Sequence, residues 1–217
     1  SHQRAYEAQQ AGKFEDEIIP IEVNDVSYDH NGPVVTKKQF KTDEMIRPDT
    51  NAEALAQLRT VFKADGTVTA GTSAPLTDGS GFVVVMSGDK VKELGVTPIA
   101  RFVGFKAVGV DPKLMGIGPA YAIPEVLSAN GLTIDDIDIT ELNEAFASQT
   151  LASIRETGLN IDKTNVNGGA IALGHPLGAT GAMLTGRLLS EMKKQPHTLY
   201  GMVTMCIGVG MGAAGIF

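Results

Sequence analysis

The sequence is poor in cysteine, in aromatic residues and in basic charge, and it has no tryptophan. Cys206 is the single cysteine, which excludes an internal disulfide framework and a cysteine-rich zinc site. The histidines are not spaced as metal ligands, so we expect no metal. No apolar run approaches the ~18 residues that span a bilayer, and no signal peptide opens the chain. We therefore expect no membrane partner and a cytoplasmic location.

Charge and composition narrow the class of protein further. Lys and Arg total 18 against 25 Asp and Glu, and this net charge of −7 gives no global reason to bind nucleic acid. A local basic pocket can still hold an anionic ligand. With 43% hydrophobic residues over 217 positions, the composition indicates a globular protein of one or two domains. Because the chain starts at Ser1 rather than at a methionine, we expect a fragment, a processed product or a partial chain.

The hydrophobic pattern of the first 97 residues predicts short elements separated by polar turns. Residues 26–49 are polar and turn-rich, and Thr97-Pro98 is the best candidate for a domain boundary. The predicted elements are a helix over 1–12, a strand over 18–23, a helix over 51–63, a buried strand over 81–86 and a helix over 89–94.

Beyond residue 97 the pattern alternates strands and helices. This alternation predicts a layered α/β domain with a mostly parallel or mixed sheet. Pro119 and Gly131 mark the start and the end of one helix. The predicted strands are 99–108, 137–142, a short one at Val166, 200–205 and 213–217. The other predicted helices are 145–157 and 180–194.

Asn143 is the first of three candidate functional residues. It lies in the sequence NEAFA at 143–147, where a strand ends and a helix begins. An asparagine there can cap the helix by accepting a backbone N–H. Alternatively, its amide holds a water or a substrate oxygen at the carboxyl edge of the sheet, where sites of α/β proteins lie.

His175 is the second candidate, within the glycine-rich stretch 167–181 just before a helix. A lone histidine more often has a structural role, but its location in a glycine-rich turn before a helix favours a functional role for His175. Pro176 restricts the backbone of His175 to extended values and so directs the imidazole.

Cys206 is the third candidate. It ends a strand and is followed by glycines at 208, 210 and 212. A buried cysteine is usually inert, but these glycines leave backbone N–H groups uncovered, as an oxyanion hole requires. The spacing is not the dinucleotide-binding fingerprint. An amide, an imidazole and a thiol at three strand ends suggest proton transfer or nucleophilic chemistry at a carbonyl. The residues alone leave open whether Cys206 is a nucleophile or an acid/base.

These three motifs, in this order, resemble the thiolase family of acyl-CoA C-acyltransferases, and the resemblance extends over essentially the whole chain. It implies a thiolase-like α/β fold: a layered α/β/α C-terminal domain with part of the loop domain and the last strand and helix of the N-terminal domain. The implied divisions are residues 1–71 for the loop domain that covers coenzyme A, 72–97 for the end of the N-terminal domain, and 98–217 for the C-terminal domain.

The resemblance also implies roles for individual residues. His175 would take the proton of a nucleophilic cysteine that lies in a missing N-terminal half, and would then help to bind the thioester oxygen. Asn143 would orient a water that joins His175 in stabilising an enolate oxygen. Cys206 would move the proton on the α-carbon, and the backbone N–H of Gly208 would belong to a second oxyanion hole. The implied reaction is the reversible Claisen condensation or thiolysis of 3-ketoacyl-CoA with acetyl-CoA, with no cofactor beyond the coenzyme A thioester substrate.

Further positions match contacts to coenzyme A in the family. Arg47 would contact the nucleotide. The implied apolar contacts to adenine, pantetheine or acyl group are Leu58, Phe62, Ala70, Met115 and Phe146. Core packing is the alternative for Leu58 and Phe62. Departures are Ala54 and Ala74, where serines that contact coenzyme A are frequent, and Met183, where an arginine is common.

Two other functions remain open. One is a cysteine hydrolase that uses Cys206 as nucleophile with His175 and Asn143. The other is a non-catalytic coenzyme A-binding or assembly module. In the thiolase interpretation, we expect this chain alone to be inactive, to associate with the missing half and to form a homo-oligomer, because half of a shared core exposes apolar surface.

Overall fold

The computed structural model describes residues 1–217 and contains seven α-helices and six strands, joined by turns and short 3₁₀ helices. The helices are α1 (His2–Gln10), α2 (Ala52–Ala56), α3 (Gly88–Leu94), α4 (Gly118–Ala129), α5 (Ala147–Thr157), α6 (Ala170–Leu173) and α7 (Thr180–Lys194). The strands are β1 (Ile21–Asp29), β2 (Gly32–Phe40), β3 (Gly104–Gly109), β4 (Ile139–Leu142), β5 (Gly201–Ile207) and β6 (Met211–Ile216).

The main sheet has four strands in the order β3-β6-β5-β4. Strands β4 and β5 are parallel, and the other two pairings are antiparallel, so the sheet is mixed. Neighbouring residues of β5 face opposite sides: Met202 packs in a core with α4, and Val203 packs in a second core with α7. Helices therefore cover both faces of the sheet, and the predicted layered α/β architecture is confirmed.

The larger of the two cores lies between the sheet and α4. Each Val, Leu or Ile side chain fully buried there contributes roughly 1.5–3 kcal/mol. Its fully buried members include Ile123, Val126, Leu142, Met202 and Ile216. Helix α4 lies close to the sheet because its backbone at Gly118 directly contacts the backbone of Gly212 in β6. A Cβ on Gly212 of β6 would lie 2.2 Å from the backbone of Gly118, so neither position has room for a side chain.

Several helix ends follow the sequence signals. Helix α4 has proline in its first turn, as Pro119 predicts. Helix α3 is capped by Ser87, whose side chain accepts from the Lys90 amide, and ends at Gly95 with φ 63°. Gly158 ends α5 with φ 72°. Glycine takes this left-handed conformation without the cost of a Cβ.

Four expectations about local structure were wrong. Residues 26–49 are not simply a turn region, because β1 and β2 pair as an antiparallel hairpin with Val26 opposite Val35. The helix expected over 51–63 forms only as α2, capped by the Asn51 side chain. Residues 81–86 form no strand, and Phe82 is 91% exposed, because no other strand lies beside them. Val166 lies in a turn rather than a strand.

No helix combines the length and the apolar character needed to cross a bilayer. No cluster of three or more His, Cys, Asp or Glu side chains could hold a metal ion. The division of the chain at residues 71 and 97 stays a prediction.

Candidate active site

The carboxyl ends of β4 and β5 bring Asn143 and Cys206 to one edge of the sheet. Leu142 pairs with Thr204 across the two parallel strands, and the backbone N–H of Asn143 donates to the Thr204 carbonyl at 2.9 Å. Asn143 thus extends the ladder by one residue, while Cys206 lies two residues beyond Thr204. Adjacent strands are about 4.8 Å apart. Both residues therefore lie at the same edge of the sheet.

The side chains of Asn143 and His175 are in direct contact. The Asn143 amide nitrogen Nδ2 lies 3.2 Å from Nε2 of His175, and Nδ1 of His175 lies 2.7 Å from the Thr180 hydroxyl. Thr180 uses its own hydrogen to donate to the Pro176 carbonyl at 3.0 Å. With the Thr180 hydrogen on that carbonyl, the Thr180 oxygen accepts from Nδ1–H of His175. This places the lone pair of the imidazole on Nε2, where the Asn143 amide donates to it.

The imidazole of His175 is poised as a base. Burial lowers the pKa of His175 below its ordinary 6.5, because a half-buried site disfavours the charged form. The ring is then neutral at pH 7. A neutral ring with its lone pair on Nε2 can accept a proton from a group that reaches this edge of the sheet.

Asn143 does not cap a helix. Helix α5 begins after Phe146, whose amide donates to the Gln149 side chain at 3.2 Å. The Oδ1 atom of Asn143 is instead buried and has no hydrogen-bond partner. A buried acceptor of this kind normally has a partner, so Oδ1 is suited to hold a water or a donor from a ligand.

Cys206 is a buried free thiol. Burial raises its pKa, so the thiol is protonated at neutral pH. Its sulfur makes no hydrogen bond to His175 or Asn143, the two side chains that contact each other. The turn after it exposes Gly208, and no atom lies within 4 Å of the place a Cβ would take there. The backbone at Gly208 is therefore open to a ligand.

Two threonines that the sequence analysis did not single out hold His175 in place. Thr180 fixes the tautomer of the ring. Thr77 accepts a hydrogen bond from the His175 amide at 3.2 Å and donates to the Pro75 carbonyl at 2.9 Å. A hydroxyl at the start of the helix that follows His175 was a usable signal for Thr180. Nothing in the sequence pointed to Thr77, which lies 98 residues away.

Asn165 and Glu144 fix the end of β4. The Asn165 side chain accepts from the Leu142 amide and donates to the Leu142 carbonyl, both at 2.8 Å, as a neighbouring strand would. It also donates to Glu144 at 3.0 Å. The other carboxylate oxygen of Glu144 accepts from the Ile171 amide at 3.2 Å. These bonds join the segment of Asn143 to the helix α6 that leads to His175.

The structure brings part of the predicted coenzyme A segment to this edge. Phe62 packs edge-to-face on Phe146 with ring centroids 6.1 Å apart, and the Ala74 amide donates to the Ala145 carbonyl at 3.0 Å. Phe62 is 75% exposed and Leu58 41% exposed. Both side chains are therefore exposed in this chain, and the choice between ligand contact and core packing stays a prediction.

The other predicted contact residues lie on separate segments of the chain. Arg47 is exposed, and its backbone amide donates to Nδ1 of His2 at 3.2 Å. Ala70 begins a short 3₁₀ helix, and Met115 is half-buried in another one that precedes α4. Their contacts with coenzyme A, and the catalytic roles of the edge residues, stay predictions.

Comparison with known proteins places the chain in a family. A model of the thiolase C-terminal domain matches residues 96–217, and a model of the thiolase N-terminal domain matches residues 1–89. The 3-ketoacyl-CoA thiolase of Bacillus subtilis is 51% identical over 100% of this chain, which covers 56% of that protein. The peroxisomal 3-ketoacyl-CoA thiolase of Yarrowia lipolytica is 49% identical, with 51% of its length covered.

Solved structures agree with this result. The acetyl-CoA acetyltransferase of Bacillus anthracis superposes with a TM-score of 0.90 at 43% identity, covering 100% of this chain and 52% of that one. Human mitochondrial 3-ketoacyl-CoA thiolase in complex with CoA gives a TM-score of 0.85 at 43% identity, with 99% and 51% covered. The chain spans about half the length of the relatives it matches. It belongs to the thiolase family.

Proposed function

We propose that this chain is the C-terminal part of an acyl-CoA C-acyltransferase that catalyses the reversible condensation and thiolysis of 3-ketoacyl-CoA with acetyl-CoA. The direct contact of the Asn143 side chain with Nε2 of His175, at 3.2 Å, is the observation that carries the proposal. Relatives named 3-ketoacyl-CoA thiolase supply the substrate class.

In the thiolysis direction His175 acts first. Its Nε2 takes the proton of a cysteine thiol that lies outside these 217 residues, and the thiolate attacks the keto carbonyl of 3-ketoacyl-CoA. The bond between the α- and β-carbons breaks, and the acyl group stays on the nucleophile. Cys206 gives its proton to the α-carbon, which releases acetyl-CoA. The Cys206 thiolate then takes the proton of a second coenzyme A, whose sulfur attacks the acyl carbonyl. The nucleophilic cysteine leaves as a thiolate and regains its proton from Nε2 of His175.

Negative charge develops on a thioester oxygen during this reaction. We assign its stabilisation to Nε2 of His175, once protonated, and to a water held by the unpaired Oδ1 of Asn143. The N–H of Gly208 forms part of a second oxyanion hole for the acylated cysteine. Loss of one such donor typically costs about 3 kcal/mol of barrier.

The properties of Cys206 favour an acid/base over a nucleophile. A nucleophilic cysteine needs a thiolate and usually has a base hydrogen-bonded to it. Burial raises the pKa of Cys206, and no base bonds to its sulfur. The cysteine hydrolase is therefore the weaker alternative. Iodoacetamide tests it: a hydrolase would be labelled rapidly at Cys206 and would lose hydrolytic activity in step.

Coenzyme A is proposed to lie along the segment that leads from Phe62 to Ala74, next to Phe146. The supporting observation is the exposure of Phe62 and Leu58 beside the site, which offers apolar area to pantetheine or adenine. Arg47, Ala70 and Met115 would complete the contacts. The solved complex of the human relative with CoA supports a coenzyme A site in this family.

The rest of the protein is the proposed partner of the exposed apolar residues. Phe82, Val84 and Val85 are 91%, 86% and 82% exposed, and side chains of this kind rarely stay in water together. We propose that a second thiolase half covers them and supplies the nucleophile, and that the whole protein forms homo-oligomers. A relative from Saccharomyces cerevisiae is described as dimeric. The cytoplasmic location stays a prediction, since relatives include both bacterial and peroxisomal proteins.

The test of this proposal is the rate of acetoacetyl-CoA thiolysis. It is measured with the whole protein in the form that its host produces. We expect His175→Ala and Cys206→Ser each to lower kcat by roughly 10²- to 10⁴-fold, the usual contribution of a general acid or base. The exposed His197→Ala serves as the matched control. Variants that retain wild-type rates would refute the assignment. Binding of coenzyme A by calorimetry without any turnover would instead identify a non-catalytic binding module.

A further inference from the structure

Glu141 is a buried carboxylate that the proposed chemistry does not use. It lies on β4, two residues before Asn143, and is 1% exposed. Its Oε2 atom has no hydrogen-bond partner. Burial raises the pKa of Glu141 to about 7, which shows that desolvation outweighs the attraction of nearby Arg187. A group so costly to bury within a core strand requires an explanation other than stability.

Arg187 is the cation that faces this carboxylate. It lies on α7 with a side chain 16% exposed, and its Nε is 3.9 Å from Oε2 of Glu141. Its Nη2 donates to the Gly168 carbonyl at 2.6 Å. Gly168 has φ +85° and packs so closely on the first turn of α1 that a Cβ would lie 2.6 Å from Ala5. The loop that Arg187 holds therefore has little freedom to move.

These contacts join the three segments that build the site. Strand β4 leads to Asn143, and the loop at Gly168 leads through α6 to His175. Helix α7 carries Thr180, which lies seven residues, or about 10 Å, along the same helix from Arg187. A shift between any two of these segments would separate the Asn143 amide from the imidazole, which are now 3.2 Å apart.

We propose that Glu141 and Arg187 are positioning residues that hold β4, the Gly168 loop and α7 together, and so keep Asn143 against His175. Only the kinetic part of the test below rests on the proposed function.

Other charges near the pair are mostly acidic. Glu144 after β4, Glu17 after α1 and Glu191 on α7 each raise the pKa of Glu141, and Arg187 lowers it. Arg187 also faces Asp43. Removing the guanidinium takes away the cation that lowers the pKa of Glu141 and leaves the Gly168 carbonyl without its partner, and we expect β4 and the loop to separate.

The decisive variant is Arg187→Met, with Arg155→Met as its matched control. Arg155 lies in the last turn of α5, is exposed and makes no ion pair or hydrogen bond. The full protein is assayed in both cases. We expect Arg187→Met to lower kcat roughly 10- to 100-fold with little change in KM, because small displacements of catalytic groups reduce rates on this scale. Arg187→Lys, which keeps the charge, should recover part of the loss.

A second measurement does not depend on activity. Nitrogen NMR of the His175 ring reports its tautomer and its pKa. In Arg187→Met we expect this pKa to rise toward its ordinary value as the site opens to water. In Glu141→Gln we also expect the pKa of His175 to rise. This smaller change should leave the fold intact, so it serves as the test if Arg187→Met does not fold.

The outcomes separate the two claims. If Arg187→Met and Glu141→Gln lower the melting temperature but leave kcat and the His175 resonances as in the wild type, the pair is merely structural and the proposal is wrong. Equal behaviour of Arg187→Met and Arg155→Met also overturns it. If the wild-type protein shows no thiolysis at all, the proposed function fails, and the NMR measurement alone decides the positioning role.

Discussion

Replacing Thr180 by valine tests how the imidazole of His175 is held. Valine keeps the shape of threonine but removes the oxygen that accepts from Nδ1–H at 2.7 Å. The ring then has a buried donor without a partner. It can regain one by moving its proton to Nε2, if the Asn143 amide turns to offer its free Oδ1. We therefore expect the variant to reverse the tautomer of His175.

The expected energetic cost is moderate. A lost hydrogen bond and a buried unsatisfied donor together amount to about 1–3 kcal/mol. For a chain of this size, each kcal/mol corresponds to a fall of roughly 2–4 °C in Tm. Thr185→Val is the matched control on the same helix: its hydroxyl only donates back to the Gly181 carbonyl at 2.8 Å, a bond of little value to stability.

Nitrogen NMR of the imidazole provides the assay. In the wild type we expect the proton on Nδ1, and in Thr180→Val on Nε2, while Thr180→Ser should resemble the wild type. Thiolysis should fall by about 10²-fold in the valine variant, because Nε2 no longer offers a lone pair. If Thr180→Val keeps its proton on Nδ1, or if it behaves as Thr185→Val does, the tautomer inferred from the hydrogen bonds is wrong.

Three more predictions concern stability and reactivity. The pKa of Glu141 rises from 4.5 to about 7 on folding, so the wild type should lose about 3 kcal/mol of stability as pH increases through this range. The variant Glu141→Gln should show no such loss. Denaturant titrations at pH 5 and pH 8 measure the difference in the free energy of unfolding. Gly212→Ala should cost at least about 2 kcal/mol, because its Cβ meets the Gly118 backbone, whereas Gly109→Ala, with open space, should be near neutral by the same titration. Cys206 should react with iodoacetamide at pH 7 much more slowly than free cysteine, because burial raises its pKa; equal rates would contradict this.

The sequence predicts those parts of the fold that local chemistry determines. Pro119 and Gly158 mark helix ends because proline and glycine have fixed backbone preferences, and the structure confirms both. The wrong expectations concern segments whose state depends on partners. The run 81–86 has strand-forming residues but nothing to pair with, and the polar region after residue 26 forms a hairpin because its two halves pair with each other.

The site shows the same division. Asn143 and His175 could be found because each lies next to a strand end or a helix start. Thr77 and Asn165 could not, because their roles consist of hydrogen bonds to distant backbone, such as that of Thr77 to His175. No local pattern encodes a contact between residues that are far apart in sequence.

The hydrogen bond from the His175 amide to Thr77 has a consequence for the order of folding. It closes a loop of 98 residues, whereas β5 and β6 pair across a short turn. Long loops cost more entropy to close, so this bond should form after β5 and β6 have paired. During unfolding, the hydrogen bond between His175 and Thr77 should break first. Amide exchange at His175 would then occur through a partial opening that leaves β5 and β6 paired.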